Sequence, residues 1–250
     1  MKKSRIILLV SFLIVSLNAF SQFVGDAAPT RAAAPRKANK PQFTLKYGLA
    51  MPSGNMGVAP SNGVTPKYAD GYMGAKRGFF AEAGMGLNLS KPESKLSFYC
   101  YPILAAFWKT DLDWSKNSDP IFDNKDIYVK PLTGFELAQR YGISFKPMEE
   151  MLVSLYYRPG LLIPLNFEIT SGTDFQFSGL ISTNEKAPTL VLSSAPGLSV
   201  QYSIFSISLE KYFVKPTYDV TFNPTGPLGP TTVMSKIPLR MTMLSLALVF

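Results

Sequence analysis

Histidine is absent from all 250 residues, and that absence excludes more functions than any motif here supports. Histidine is the usual base that activates a serine nucleophile and a common metal ligand. Cysteine is almost absent too. The lone Cys100 allows no internal disulfide, and within the apolar run 97–108 it reads as a small buried or lipid-facing hydrophobe. Charged residues make up only 17% of the chain. The net charge of +8, with no basic patch interleaved with aromatics, argues against nucleic acid as a partner. Past residue 21 no apolar run approaches the roughly 20 residues a spanning helix needs. If this chain crosses a membrane, it does so as strands.

Residues 1–21 have the form of a cleaved secretory signal. Lys2, Lys3 and Arg5 supply the charged start, 6–17 the apolar core, and Ala19-Phe20-Ser21 a small-x-small site before Gln22. The apolar core is too short for a stable membrane anchor, and no Cys follows the cut to carry a lipid. Its removal takes the net charge from +8 to +5. Residues 22–41, rich in Ala and Pro and carrying Arg31, Arg36, Lys37 and Lys40, read as a disordered basic arm.

From residue 42 onward, eight stretches combine strand composition with a period near two: 42–51, 78–89, 95–108, 130–145, 151–164, 189–202, 205–222 and 233–250. Their connections alternate in length. Segments 52–77, 109–129 and 166–188 are long, 90–94, 146–150 and 203–204 are short, and 223–232 is intermediate. Long loops at one rim and tight turns at the other describe an up-and-down barrel with both termini on the turn side.

The two faces of these strands differ in kind. One carries Phe43, Leu45, Tyr47 and Leu49, then Phe79, Ala81, Ala83, Met85 and Leu87. It continues through Phe135, Leu137, Tyr141, Ile143 and Phe145, then Leu155, Tyr157, Leu161 and Ile163, then Leu198, Val200 and Tyr202. The other face holds Lys46, Glu82, Glu136, Arg140, Arg158, Gln201, Ser206, Ser208 and Glu210. A charge on a lipid face costs about 2–4 kcal/mol at the bilayer midplane, so this segregation suits a barrel turned apolar side out. A soluble sandwich or a secreted lipid-binding barrel would turn its apolar residues inward.

The last stretch separates in the same way, with Leu244, Leu246, Leu248 and Phe250 opposite Met241, Met243, Ser245, Ala247 and Val249. Such an end suits a strand that pairs with the first one, because closure removes the sheet edge. At these residues the chain resembles the small outer-membrane β-barrels of Gram-negative bacteria, OmpA- and OmpX-like, whose final strand ends in Phe after alternating apolar positions. The resemblance covers about 42–250 plus the signal. It implies an all-β, eight-stranded antiparallel transmembrane barrel in the outer membrane, in contact with its lipids. It also implies that Leu244, Leu246, Leu248 and Phe250 form the closure signal read by the barrel-insertion machinery.

Eight strands enclose a lumen just wide enough for side chains to fill. Lys46, Arg140 and Arg158 are therefore expected to neutralise Glu82, Glu136 and Glu210 across it, as a plug of ion pairs or as the lining of a narrow gated conduit. Lys211 and Gln139 fall on the apolar parity of their strands, which calls for a bulge or a snorkelling side chain. Pro102, Pro159 and Pro196 lie inside expected strands and each removes a ladder donor.

Asp111-Leu112-Asp113-Trp114-Ser115-Lys116-Asn117, followed by Asp119, Asp123 and Asp126, has alternating oxygen donors. Lys116 stands where a Ca²⁺ loop needs Gly and no Glu closes it, so a solvated mixed-charge loop is expected and no metal or cofactor. Trp108, Tyr128, Phe167, Tyr218 and Phe222 are expected in an aromatic girdle at the loop rim. Phe43, Phe98, Phe145, Tyr202 and Phe250 would form its counterpart at the turn rim. The enzymes built on barrels of the resembling kind each depend on a histidine. The expected function is therefore non-enzymatic, structural or surface-interacting, with an envelope protein or extracellular ligand met through the long loops. The alternative is a narrow passive pore or an accessory subunit of a transport or secretion assembly.

Overall fold

The computed structural model describes residues 41–58, 72–90, 94–113, 127–165, 167–171, 175–181, 190–224 and 229–250. The expected signal at 1–21 and all of the expected arm except Pro41 lie outside the described residues.

Alternation of apolar and polar side chains produces strands almost throughout. The described residues form β1 (Gln42–Pro52), β2 (Gly78–Asn88), β3 (Leu96–Thr110), β4 (Ile127–Val129), β5 (Leu132–Met148), β6 (Met151–Pro164) and β7 (Phe167–Ser171). They continue with β8 (Phe175–Ile181), β9 (Val191–Tyr202), β10 (Phe205–Val214), β11 (Thr217–Pro224), β12 (Thr231–Lys236) and β13 (Leu239–Val249). Eight of these close an antiparallel barrel in the order β1-β13-β10-β9-β6-β5-β3-β2, the up-and-down architecture expected from the sequence. The seam joins first strand to last. Leu45 lies opposite Leu248, Tyr47 opposite Leu246 and Leu49 opposite Leu244. Phe43 and Phe250 exchange both backbone hydrogen bonds, at 3.0 and 2.9 Å.

One end of the barrel carries the tight connections, including Glu149-Glu150 and Ser203-Ile204. Ser203 there takes the left-handed φ of 54° that a two-residue hairpin requires. At the opposite, loop end the wall does not stop. A second sheet, ordered β12-β11-β8-β7-β4, repeats the order of β13-β10-β9-β6-β5, the barrel strands to which its members connect. Two stretches expected as single strands, 205–222 and 233–250, are thus each two strands, divided at Pro216 and Pro238, while β4, β7 and β8 lie in the expected long loops 109–129 and 166–188, with Pro131 between β4 and β5. Proline cannot donate to a ladder, so the barrel sheet ends there and pairing resumes a residue or two later.

The interior prolines are accommodated locally. On both sides of β3 the pairing slips beside Pro102, between Tyr101 and Leu104 against β5 and between Met85 and Leu87 against β2. Pro159 pairs with Ser194 of β9, while the β5–β6 pairing lapses beside it between Ala138 and Tyr141. Pro196 pairs with Tyr157, and the β9–β10 pairing lapses beside it between Glu210 and Phe213. Lys211 needs no bulge, because β10 and β13 stay in continuous register. Its ammonium reaches Ser53 Oγ at 2.9 Å and Thr242 Oγ1 at 3.0 Å, the snorkelling solution. Gln139 sits opposite the β3 bulge and accepts a hydrogen bond from the Tyr141 hydroxyl.

The polarity of the barrel is inverted relative to a soluble sheet protein. Phe43, Leu45, Tyr47, Leu49, Leu137, Leu155, Leu198 and Leu246 are exposed on the outer wall, while Lys46, Glu82, Glu136, Arg140, Arg158 and Glu210 are buried inside. Leu87 is an exception among the residues assigned to the outer face. It is buried next to the slip between β2 and β3, opposite the equally buried Cys100.

Candidate functional site in the barrel lumen

The lumen is built in three tiers, each dictated by which residues share inward parity at that height. The middle tier is ionic. Lys46 from β1, Glu82 from β2, Glu136 and Arg140 from β5, Arg158 from β6 and Glu210 from β10 meet there. Lys46 Nζ lies 2.6 Å from Glu210 Oε1 and 3.4 Å from Glu82 Oε1. Arg140 Nη2 donates to Glu82 Oε1 and lies 3.7 Å from Glu210 Oε1. Arg158, fully buried, bridges all three carboxylates, with Nη1 at 2.7 Å from Glu136, Nε at 2.9 Å from Glu210 and Nε at 3.6 Å from Glu82. The Tyr156 hydroxyl donates to Glu210 at 2.9 Å and Ser193 Oγ donates to Glu136.

Three cations against three carboxylates leave the tier neutral, and the pairs tie five of the eight barrel strands together. Aromatic rings flank the cations. Lys46 lies over Phe80 and Tyr156, Arg140 over Tyr101 and Tyr156, and Arg158 over Phe80 and Tyr212, at 4.8 to 6.0 Å from the ring centroids. Gly160 makes room for this packing. A Cβ there would stand 2.0 Å from Glu136 Oε1. A buried ion pair holds its strands only with good geometry and further hydrogen bonds, and both are present here. With every carboxylate against a cation, the tier offers no free acid or base to a substrate.

The loop-end tier is apolar. Phe80, Trp108, Leu132, Leu162, Tyr212, Met241 and Met243 fill it without exposed surface. A cap seals it. The 3-10 turn Gly54–Gly57 folds inward and buries Met56, and Met73 and Ala75 join the same core. Ala75 N donates to Met56 O at 2.8 Å, and Ala75 bridges to Leu112. The turn-end tier is a polar vestibule lined by Ser97, Ser144, Ser154, Ser199, Ser206 and Ser208, with Tyr99, Tyr101 and Arg140 above.

Two expectations need correction. Trp108 and Tyr218 do not belong to an outer girdle. Both are 0% exposed inside the core. The bulge at Pro102 is the reason for Trp108, since the slip exchanges the faces of β3. Tyr99 and Tyr101 point inward before it, and Leu104, Ala106 and Trp108 after it. Tyr218 follows the break at Pro216 and packs with Val220 and Ile237 in the same core. The side chains of Tyr128, Phe167 and Phe222 lie outside the described residues. At the turn end Phe43, Phe98, Phe145, Tyr202 and Phe250 are all exposed on the outer wall.

In the acidic loop, Asp113 pairs with Lys76 at 2.7 Å and Asp111 lies 3.9 Å from Lys109, while 114–126 fall outside the described residues. Leu244, Leu246 and Phe250 are exposed on the outer wall at the β1–β13 seam, and Leu248 pairs there with Leu45. The apolar loop-end tier was missed by sequence reasoning, yet Ala50, Phe80, Met241 and Met243 share the parity of the charged residues and signal it.

Geometry therefore defines the class: a closed eight-stranded barrel, apolar outside and ion-paired within. No family model matches the chain, and no curated protein matches it. Among solved structures it is similar to the solid-state NMR structure of the outer membrane protein AlkL in DMPC lipid bilayers, at 13% identity over 90% of this chain and 96% of that one, with a TM-score of 0.32.

Proposed function

We propose that this chain is an outer-membrane barrel that sits in lipid by its outer wall, keeps its lumen closed and acts without catalysis through contacts at its loop end. The observation that carries the reading is the buried six-charge tier enclosed by a wall of exposed Leu, Phe and Tyr. Exposed apolar surface on that scale needs a hydrocarbon or protein cover. The exposed aromatics at the turn end suit the interfacial girdle of a spanning barrel. The sheet β12-β11-β8-β7-β4 stands beyond the barrel rim and supplies the surface for an envelope protein or extracellular ligand. Leu244, Leu246, Leu248 and Phe250 would be read by the insertion machinery, and the absence of histidine supports a non-enzymatic role.

Planar-bilayer recording tests the reading. The refolded mature chain is expected to show no steady single-channel conductance, and Arg158→Ala, which loosens the ionic tier but leaves the apolar tier and its cap in place, is expected to introduce none. Steady conductance in the unsubstituted chain would replace the closed barrel with a passive pore. Solubility of the mature chain without detergent would remove the membrane from the reading altogether.

A further inference from the structure

The vestibule at the turn end has a property that a merely solvated cavity lacks. Its roof is the underside of the ionic tier, and what that tier shows to the vestibule is of one sign. Lys46 and Arg140 retain 3% and 7% side-chain exposure, whereas Glu82, Glu136 and Glu210 retain none. A neutral cluster thus presents only its cations to an entering solute. Arg140 carries the second observation. It is nine-tenths buried and lines the vestibule, and its Nε has no hydrogen-bond partner among the described residues, although its Nη2 is engaged by Glu82. A buried guanidinium N–H left without an acceptor is costly unless a partner is supplied. Below the roof the walls present serine hydroxyls; Ser144 and Ser154 bond each other at 2.7 Å and Ser208 bonds Ser245 at 2.8 Å, which leaves one proton of each pair to donate to an anion.

The geometry points to an oxyanion site in this vestibule, entered from the turn end, for inorganic phosphate or the phosphate of a small monoester. The inner cavity of about 50 Å³ takes a few waters or one tetrahedral oxyanion. It adjoins a wider mouth of about 270 Å³ through Asn88, Ser97, Leu152 and Gln201, which line both. The mouth carries Lys146, Glu149 and Glu150, a balance of −1 that disfavours anions there. Those groups sit in open solvent, where salt screens them beyond about 10 Å, while the roof is desolvated and keeps its field. The ionic tier and the apolar tier above it close the far side, so the site is a dead end and not a passage. It rests on the closed-lumen reading, and conductance tests that reading separately.

The test is titration of the refolded, isotope-labelled mature chain in zwitterionic detergent with inorganic phosphate and, separately, glycerol 3-phosphate at constant ionic strength, followed by amide NMR. Saturable shifts are expected at Ser154, Ser206 and Ser208, and none with chloride alone. Saturation by inorganic phosphate only would assign a free ion, and by the ester only a phosphomonoester. Ser206→Leu fills the cavity without touching an ion pair and is expected to weaken binding at least tenfold. Should it fail to refold, Ser199→Leu serves the same purpose. Lys146→Gln at the mouth is expected to leave affinity within twofold. No saturable shift with either phosphate, or shifts unchanged by the cavity-filling variant, would overturn the assignment.

Discussion

Replacing Arg158 with methionine removes the side chain that, among the described residues, contacts Glu82, Glu136 and Glu210 together, and its cost can be worked from the distances. At an effective dielectric near 20, a unit charge pair at 2.7 Å attracts by about 6 kcal/mol, and the contacts at 2.9 and 3.6 Å are only slightly weaker. Most of that gross attraction is offset in the native protein by the desolvation of four buried ions. What the substitution exposes is the imbalance it leaves, three carboxylates facing two cations in a space closed to water. Removing one partner of a buried ion pair costs about 3–5 kcal/mol, and we expect Arg158→Met to fall in that range. Methionine nearly conserves the volume, so a cavity contributes little. Urea titration of the refolded barrel, followed by Trp fluorescence and by gel mobility of folded and unfolded forms, measures the loss. Arg158→Met combined with Glu136→Leu restores neutrality, with Lys46 and Arg140 left against Glu82 and Glu210, and is expected to recover at least half of it. A loss below about 1 kcal/mol, or a double variant no better than the single one, would refute electrostatic balance as what holds the tier.

Three further outcomes follow from the packing. A Cβ on Gly134 would stand 2.5 Å from the Trp108 ring, so Gly134→Ala is expected to cost about 1–3 kcal/mol and to shift Trp fluorescence to the red; an unchanged spectrum would place Trp108 elsewhere. Leu246 is 65% exposed on the outer wall, so Leu246→Arg is expected to cost about 2–4 kcal/mol in vesicles, whereas Leu246→Met is expected to be neutral. Equal stability of the two variants would show that the wall does not face hydrocarbon. Cys100 is buried, so a bulky polar maleimide is expected to label it only after unfolding, and rapid labelling of the folded barrel would contradict its position between β2 and β5.

Much of the wall was legible in the amino-acid order, because a strand has a period of two and lipid sorts the two faces sharply. Lys46 lies between Leu45 and Tyr47, and Glu136 between Phe135 and Leu137, so each charge declares its side from its neighbours alone. The alternation of long and short connections likewise carried the hairpin order and the seam between first and last strands. Local pattern failed where one residue changed the count. Pro102 slips the pairing of β3 and turns Trp108 from the outer wall into the core, and no periodicity downstream of a bulge announces that exchange.

Composition and alternation by themselves determined that this chain is a barrel of inverted polarity, since both are properties of single strands. Tertiary structure alone decided that Arg158 meets Glu136 from the next strand and Glu210 and Glu82 from across the lumen. It also decided that Met56 and Met73 fold back as a lid and that the wall rises beyond the rim as a second sheet. Those arrangements depend on stagger between strands and on how far each ladder runs before a proline stops it, and neither is written in any one segment.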